Sequence, residues 1–451
     1  MSEIINLRKD LNADALFSSL RDNFSKIPDL RSSNKKISLA DALMSGFAMF
    51  SLKDPSLLAF EERRRSEDIN LRTIYGMENI PSDTQMRDIL DEVNPESLRP
   101  VFNSIFRKLQ RGKELEQLIF FKKCYLISVD GTGSFSSEKL SSDSCTMKKS
   151  KKTGKTTYYQ NMLGAAIVHP DFKEVIPLAP EMIIKQDGEI KNDCERNAAK
   201  RFLKKFRREH PHLNVIIIED GLSSNGPHIK DLNANNCHYI LGIKPGDHAF
   251  LFNFVEEAHN RKETTEFTFT DDKDPKINHK FRFLNNVPLN ESNQDVRVNF
   301  LEYWQITKEN MMCFSWVTDF TITIDNCYMI MRGGRCRWKI ENETFNTLKN
   351  QGYHLEHNYG LGKKYLSEIF IMLMMLAFLV DQTQQLCCAL FNAVWKKLKR
   401  KKTLWEDIRS LFRWFKFESM EMLYKAILNG SLLKPPEFID DTSRQVKTRK
   451  N

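Results

Sequence analysis

Three carboxylates stand where local patterning disfavours them. Asp130 closes the apolar run Tyr125-Leu126-Ile127-Ser128-Val129, and Asp220 closes Val215-Ile216-Ile217-Ile218-Glu219. Glu341 falls within the apolar stripe of a helix predicted over 336–351. Sequences break patterning rules where function requires it, so these acids mark a candidate site. Three converging carboxylates are the hard oxygen ligands that two Mg²⁺ ions, or Mn²⁺ in their place, accept. Two such ions about 3.5–4 Å apart cut and join phosphodiesters: one activates water or a 3′-hydroxyl, the other stabilises the leaving 3′-oxygen. The loops after the two aspartates, Asp130-Gly131-Thr132-Gly133 and Asp220-Gly221-Leu222-Ser223-Ser224-Asn225-Gly226, are rich in small residues that let a ligand approach the backbone. Each Asp taken singly also reads as a strand-ending residue that opens a turn.

Glu341 is placed by helical geometry. At ~100° per residue, Trp338, Phe345 and Leu348 fall within about 60° of Glu341, Arg337 within about 40°, and Glu343 on the far side. An inward acid beside an arginine suits a metal ligand next to a bound phosphate. The same pattern also describes a buried Glu341–Arg337 structural pair.

The remaining pattern supplies a scaffold for these acids. The chain has 451 residues, 41% of them hydrophobic, enough for a sizeable core. Residues 1–115 read as helical, with helix starts at Ser38-Leu-Ala-Asp41, Pro81-Ser82-Asp83 and Asn94-Pro95-Glu96. With Arg87, Arg99, Arg107 and Arg111 nearby, this region reads as a DNA-binding module or as a plain helical cap on the next domain. From about 124 the pattern becomes strand (125–129), strand (158–168), strand (174–184), helix and strand (215–218). The helix carries a cap pair, Asn192 with Glu195, and an apolar face of Ala198, Phe202, Leu203 and Phe206. A mixed sheet backed by helices is the α/β reading, with Asp130 and Asp220 at the carboxyl ends of parallel neighbours. Residues 226–324 read as a β-rich insertion with strands at 267–270, 280–283, 296–300 and 312–317. Helices then return at 336–351, 363–381, 382–400 and 403–427, ahead of a polar tail from Pro435 read as disordered.

Charge and cysteine usage narrow the class. The net charge is +9, from 68 basic and 59 acidic residues, and it collects in patches. Lys148 to Lys155 holds five lysines, among them Lys151, Lys152 and Lys155, and Lys396 to Lys402 holds six basic residues. Such clusters suit a polyanion, or else form solvated, self-repelling loops. Nine cysteines without a C-x-x-C pair argue against zinc-ribbon and dithiol redox readings, and their odd number without a signal peptide fits a reducing compartment. The longest apolar run, Ile369 to Val380, is shorter than the ~20 residues a spanning helix needs, so it reads as a core helix and no membrane is expected.

The order Asp130…Asp220…Glu341, with Arg337-Trp338-Lys339-Ile340-Glu341 at the third acid, resembles insertion-sequence transposases of the DDE class. It is most similar to the branch whose last acid lies in a Tyr-x₂-Arg-x₃-Glu-x₆-Lys signature, and the likeness of layout covers residues 35–425. The resemblance implies a ribonuclease-H-like catalytic core interrupted by a β-rich insertion, here 116–225 and 325–385 around 226–324. A helical N-terminal DNA-binding region (1–115) and a helical C-terminal region (386–451) flank it. It further implies Mg²⁺-dependent cut-and-paste transposition at terminal inverted repeats of double-stranded DNA, transfer to target DNA, a homodimeric synaptic complex, and a cytoplasmic, nucleoid-associated location. Asp130, Asp220 and Glu341 match the triad and Arg337 the signature Arg. The signature Tyr falls on Gly334 and the signature Lys on Leu348, with Lys349 one place on, which puts the branch's hairpin step and its fine DNA contacts in question. Tyr328, Tyr353 and Lys349 are the substitutes at hand. The alternatives are a nuclease that cuts without joining and a domesticated DNA-binding protein on the same core.

Other residues have two readings each. Lys339 and Lys349 are candidate DNA contacts, as is Lys244. Trp316, like Trp304, either stacks on a flipped base or fills a core. His354 and His357 suit DNA contact or structural hydrogen bonding better than a metal. Ser134, Ser136 and Ser137 have no His and Asp partners of the kind an acyl-transfer nucleophile needs.

Overall fold

A computed structural model describes residues 8–31, 35–142, 145–183, 194–271 and 274–430. The cap expected at Asn192, the last residue (Ile184) of the strand expected over 174–184, and the tail from Pro435 lie outside these residues. The chain forms two compact units, Met1–Glu114 with Thr347–Asn451, and Leu115–Asn346.

The first unit is helical. The N-cap chemistry read from the sequence is present: Ser38 accepts from the Asp41 amide, and Ser82 with Gln85 forms a full capping box. Asn94 caps a short 3₁₀ turn, and the α-helix proper starts five residues later at Arg99. The core is built on helices Leu39–Ser51, buried throughout, and Leu366–Cys387. The second helix is long and apolar enough to cross a membrane, yet its apolar window is entirely buried within the protein. The two pack so closely that a Cβ on Gly46 would lie 2.7 Å from Leu373 Cδ1. The helix predicted to break at 381/382 runs on to Cys387, because Asp381 is held by Lys53 (2.6 Å) and Tyr353 rather than by a turn. The helix predicted over 403–427 divides into Lys401–Trp414 and Met420–Asn429, the second capped by Ser419.

The second unit is one twelve-stranded sheet with helices. Its strands are β1 (Ile119–Phe121), β2 (Cys124–Ser137), β3 (Thr146–Lys149), β4 (Thr156–Val168), β5 (Ile176–Pro177) and β6 (Glu181–Ile183). They continue as β7 (Val215–Glu219), β8 (His238–Ile243), β9 (Thr265–Thr270), β10 (Asn278–Pro288), β11 (Arg297–Ile306) and β12 (Met311–Thr318). The path is β3-β4-β2-β7-β8-β12-β11-β10-β9, with β1 on β2 and β5 and β6 on β4. Only β2/β7 and β7/β8 are parallel among the described pairs. Each needs a crossover, which includes helix Glu195–Glu209 before β7 and helix Gly226–Ala234 between β7 and β8. The single strand expected over 174–184 is two short pieces, parted at Pro177 and Pro180 where a ladder donor is missing. Residues 226–324 are richer in helix than their composition suggested, holding Gly226–Ala234 and Ala249–Asn260 as well as β8. Their strands β9–β12 extend the same sheet through β8.

Candidate active site

Parallel register brings the first two acids together. Tyr125 to Ser128 of β2 pair in order with Val215 to Ile218 of β7. Two steps further along each chain stand Asp130 and Asp220, side by side at the carboxyl edge of β7. Asp220 directly follows β7, as expected, and its Oδ1 accepts from the Leu222 amide at 3.0 Å. Asp130 does not end its strand. β2 continues to Ser137, because β4 goes on pairing with it beyond the point where β7 stops. Asp130 Oδ1 accepts from the Gly131 amide at 2.8 Å.

The third acid arrives on a helical segment laid across β2 and β4. Opposite Asp130 on β4 is Gly164, and a Cβ there would lie 2.6 Å from the Phe345 ring. Ser128 donates its hydroxyl to the Arg337 carbonyl at 3.0 Å, a second tie between strand and helix. Between these anchors Ile340–Phe345 is a π-helix, and Glu341 is on it. The wider turn displaces the stripe expected of an α-helix. Trp338, expected to point inward, is 52% exposed, and the Glu341 side chain is 38% exposed rather than buried.

Arg337 joins the acids. Its Nη1 donates to Asp130 Oδ2 at 3.2 Å and to Glu341 Oε1 at 2.8 Å, while its guanidinium stacks on Trp338 at 4.7 Å. The Arg337–Glu341 pair therefore exists, and it extends to Asp130. Burial pushes the Asp130 carboxyl up to about 6; Gly131 N–H and Arg337 oppose this, and the charges of Glu341 and Asp220 add to it. Asp130 and Asp220 open into a cleft of about 510 Å³ that also presents Glu195, Glu219, Asn161 and His228.

Glu195 escaped the sequence reading. It looked like a capping acid in the first turn of helix Glu195–Glu209, an ordinary place for one. In the structure it lies over Gly131, where any Cβ would collide with it, and burial together with the charges of Asp220 and Glu219 raises its pKa. Glu219 is buried and paired with His228 Nε2 at 2.5 Å.

The remaining expected contacts are dispersed. Lys151 and Lys152 are exposed at the turn between β3 and β4, and Lys155 pairs with Glu138 at 2.9 Å. Lys339 donates to the Phe172 carbonyl and faces a different cleft. Trp316 is not presented to a base: it is 5% exposed, stacked on Phe314 and packed against Gly334. The same packing keeps position 334 a glycine, since a Cβ there would run into the Trp316 indole. Leu348 and Lys349 belong to the helical unit, the first buried and the second paired with Glu356 at 2.9 Å.

Among the described residues no three His, Cys, Asp or Glu side chains close around one point as they stand. The donor set nevertheless fits a hard cation, being all carboxylate oxygen, in negative excess, with a guanidinium nitrogen lying between two of its members.

No family model and no curated protein matches the sequence. Among solved structures the chain is similar to a piggyBac transposase synaptic complex with hairpin DNA, at 11% identity and a TM-score of 0.41, over 95% of this chain and 83% of that one.

Proposed function

We propose that the protein is a DNA transposase of the DDE class, with Asp130, Asp220 and Glu341 as the ligands of two Mg²⁺ ions. One observation carries this reading: Asp130 and Asp220 emerge side by side from parallel strands, and one nitrogen of Arg337 ties Asp130 to Glu341. Burial raises the Asp130 pKa and the charges of Glu341 and Asp220 add to it, so a bound cation would stabilise the ionised carboxylates. In this reading β4, β2, β7 and β8 form a ribonuclease-H-like core, and the helical N-terminal region with the lysine patches binds DNA.

When bound, the ions supply activation of water or a 3′-hydroxyl and neutralise the leaving oxygen. The protein's own groups do the positioning. Gly131 and Leu222 amides fix the Asp130 and Asp220 carboxylates, and the Phe345–Gly164 contact fixes the helix that carries Glu341. With the acids holding ions, Arg337 beside them would hold a phosphate of the strand in line.

The test uses a labelled duplex made from the DNA that flanks the reading frame, with and without Mg²⁺. Cleavage at the repeat end, abolished in Asp130→Ala, Asp220→Ala and Glu341→Ala, is expected. Capture of the cut 3′-end by a second duplex distinguishes a transposase from a nuclease that only cuts. Cleavage that survives Asp130→Ala contradicts the assignment, and binding without cleavage in the intact chain points to a DNA-binding protein without activity.

A further inference from the structure

The helical segment that turns Arg337 toward the carboxylates turns a second basic face elsewhere. Arg332, Arg335 and Lys339 recur at helical spacing along Cys327–Arg335 and the turn after it. All three line a cleft of about 370 Å³ with Tyr328. This cleft shares no lining residue with the one at Asp130.

Among the described residues, the charge here is only partly compensated by carboxylates. Arg335 donates to the Gln305 amide oxygen at 2.6 Å and stacks on Phe314 at 4.9 Å. Lys339 donates to a backbone carbonyl at 2.5 Å. Among the described residues, only Arg332 of the three meets a carboxylate, Asp171, whose side chain is 60% exposed. The far wall holds Asp271, His279 and Tyr303. Asp271 is turned onto His279 Nε2 at 2.9 Å, and His279 Nδ1 meets the Tyr303 hydroxyl at 2.8 Å. The acid of that wall is thus engaged with its own histidine, while among the described residues the hydrogen bonds of the two cations opposite go to neutral partners. Planar guanidinium forks in an open cleft match the oxygens of a phosphate and form charge-assisted pairs with it.

We propose that this cleft is an anion site that takes a phosphate group on its Arg332–Arg335–Lys339 wall. It stands apart from the reading of the carboxylates, and its test is run without divalent cations so that the acids contribute nothing. Inorganic pyrophosphate is titrated into the full chain by calorimetry in the presence of a chelator. Saturable binding is expected, at least about tenfold weaker in Arg335→Gln and Arg332→Gln and unchanged in Lys364→Gln, a lysine 55% exposed in the helical unit and outside the basic patches. Circular dichroism identifies a variant that has not folded, and the other Arg variant then decides. Absence of saturable binding, wild-type affinity in the folded Arg variants, or equal weakening by Lys364→Gln overturns the proposal. Duplex DNA that displaces pyrophosphate identifies the phosphate as one from a nucleic-acid strand; failure to displace it identifies free phosphate as the occupant.

Discussion

Arg337 Nη1 lies within hydrogen-bonding distance of two carboxylates at once, and its charge offsets part of the cost of burying Asp130. The Asp130 carboxyl has a folded pKa of about 6 against an ordinary value of 3.8, chiefly through burial. Its ionised form is therefore disfavoured by folding. Stability falls as pH rises from the unfolded value through the folded one, and the full penalty is present above about 6. Asp130→Asn removes that penalty. Chemical denaturation at pH 7 without divalent cations should show the variant more stable by on the order of 1–2 kcal/mol, and the difference should vanish below about pH 4. A variant less stable than the parent at pH 7 contradicts this electrostatic reading. At this scale the sequence was informative wherever an acid broke an apolar run. It was silent on Glu195, because an acid in a first helical turn has an ordinary explanation that hides any other.

The element that matters most is the π-helix Ile340–Phe345, and it was not legible. An α-helical wheel put Trp338 inside with Glu341; the wider turn leaves Trp338 exposed while Phe345 is buried against β4. Gly164→Ala tests that seating. Its Cβ would meet an aromatic ring that is itself packed, so a loss of about 1–3 kcal/mol is expected, with weaker divalent-cation binding because Glu341 shifts. Unchanged stability would mean the ring has room to move. In the helical unit, Glu61 of helix Leu57–Arg65 accepts from Arg64 and Arg65 and from the Asp83 amide, tying two helices together. Arg64 is the main reason its pKa drops to about 2 from 4.5. That depression stabilises the fold above about pH 4.5 and is lost as pH falls toward 2. Glu61→Gln should therefore cost on the order of 1–2 kcal/mol at neutral pH, with its denaturation midpoint converging on the parent's in acid. A constant gap across that range excludes the ion pairs as the cause. Helix starts at Ser38 and Ser82 were readable because capping is local chemistry, whereas the continuation of Leu366–Cys387 past Asp381 depends on Lys53, distant in sequence.

At the scale of the molecule, the mixed α/β character was legible and the size of the sheet was not. Alternation identified the strands of 267–317, but joining them to β8 requires long-range pairing that no local pattern records. On the proposed reading, the net charge of +9 and the exposed lysines of the β3–β4 turn should make binding to DNA dominated by counterion release. The logarithm of the affinity should fall linearly with the logarithm of salt concentration, and Lys151→Gln with Lys152→Gln should reduce the slope. An affinity indifferent to salt contradicts the polyanion assignment. The central claim, that Asp130, Asp220 and Glu341 share divalent cations, is tested most directly by counting Mn²⁺ bound to the intact chain by electron paramagnetic resonance. The account predicts two bound ions, with binding weakened in each of Asp130→Asn, Asp220→Asn and Glu341→Gln; Mn²⁺ binding that any one of these folded variants leaves unchanged would contradict it.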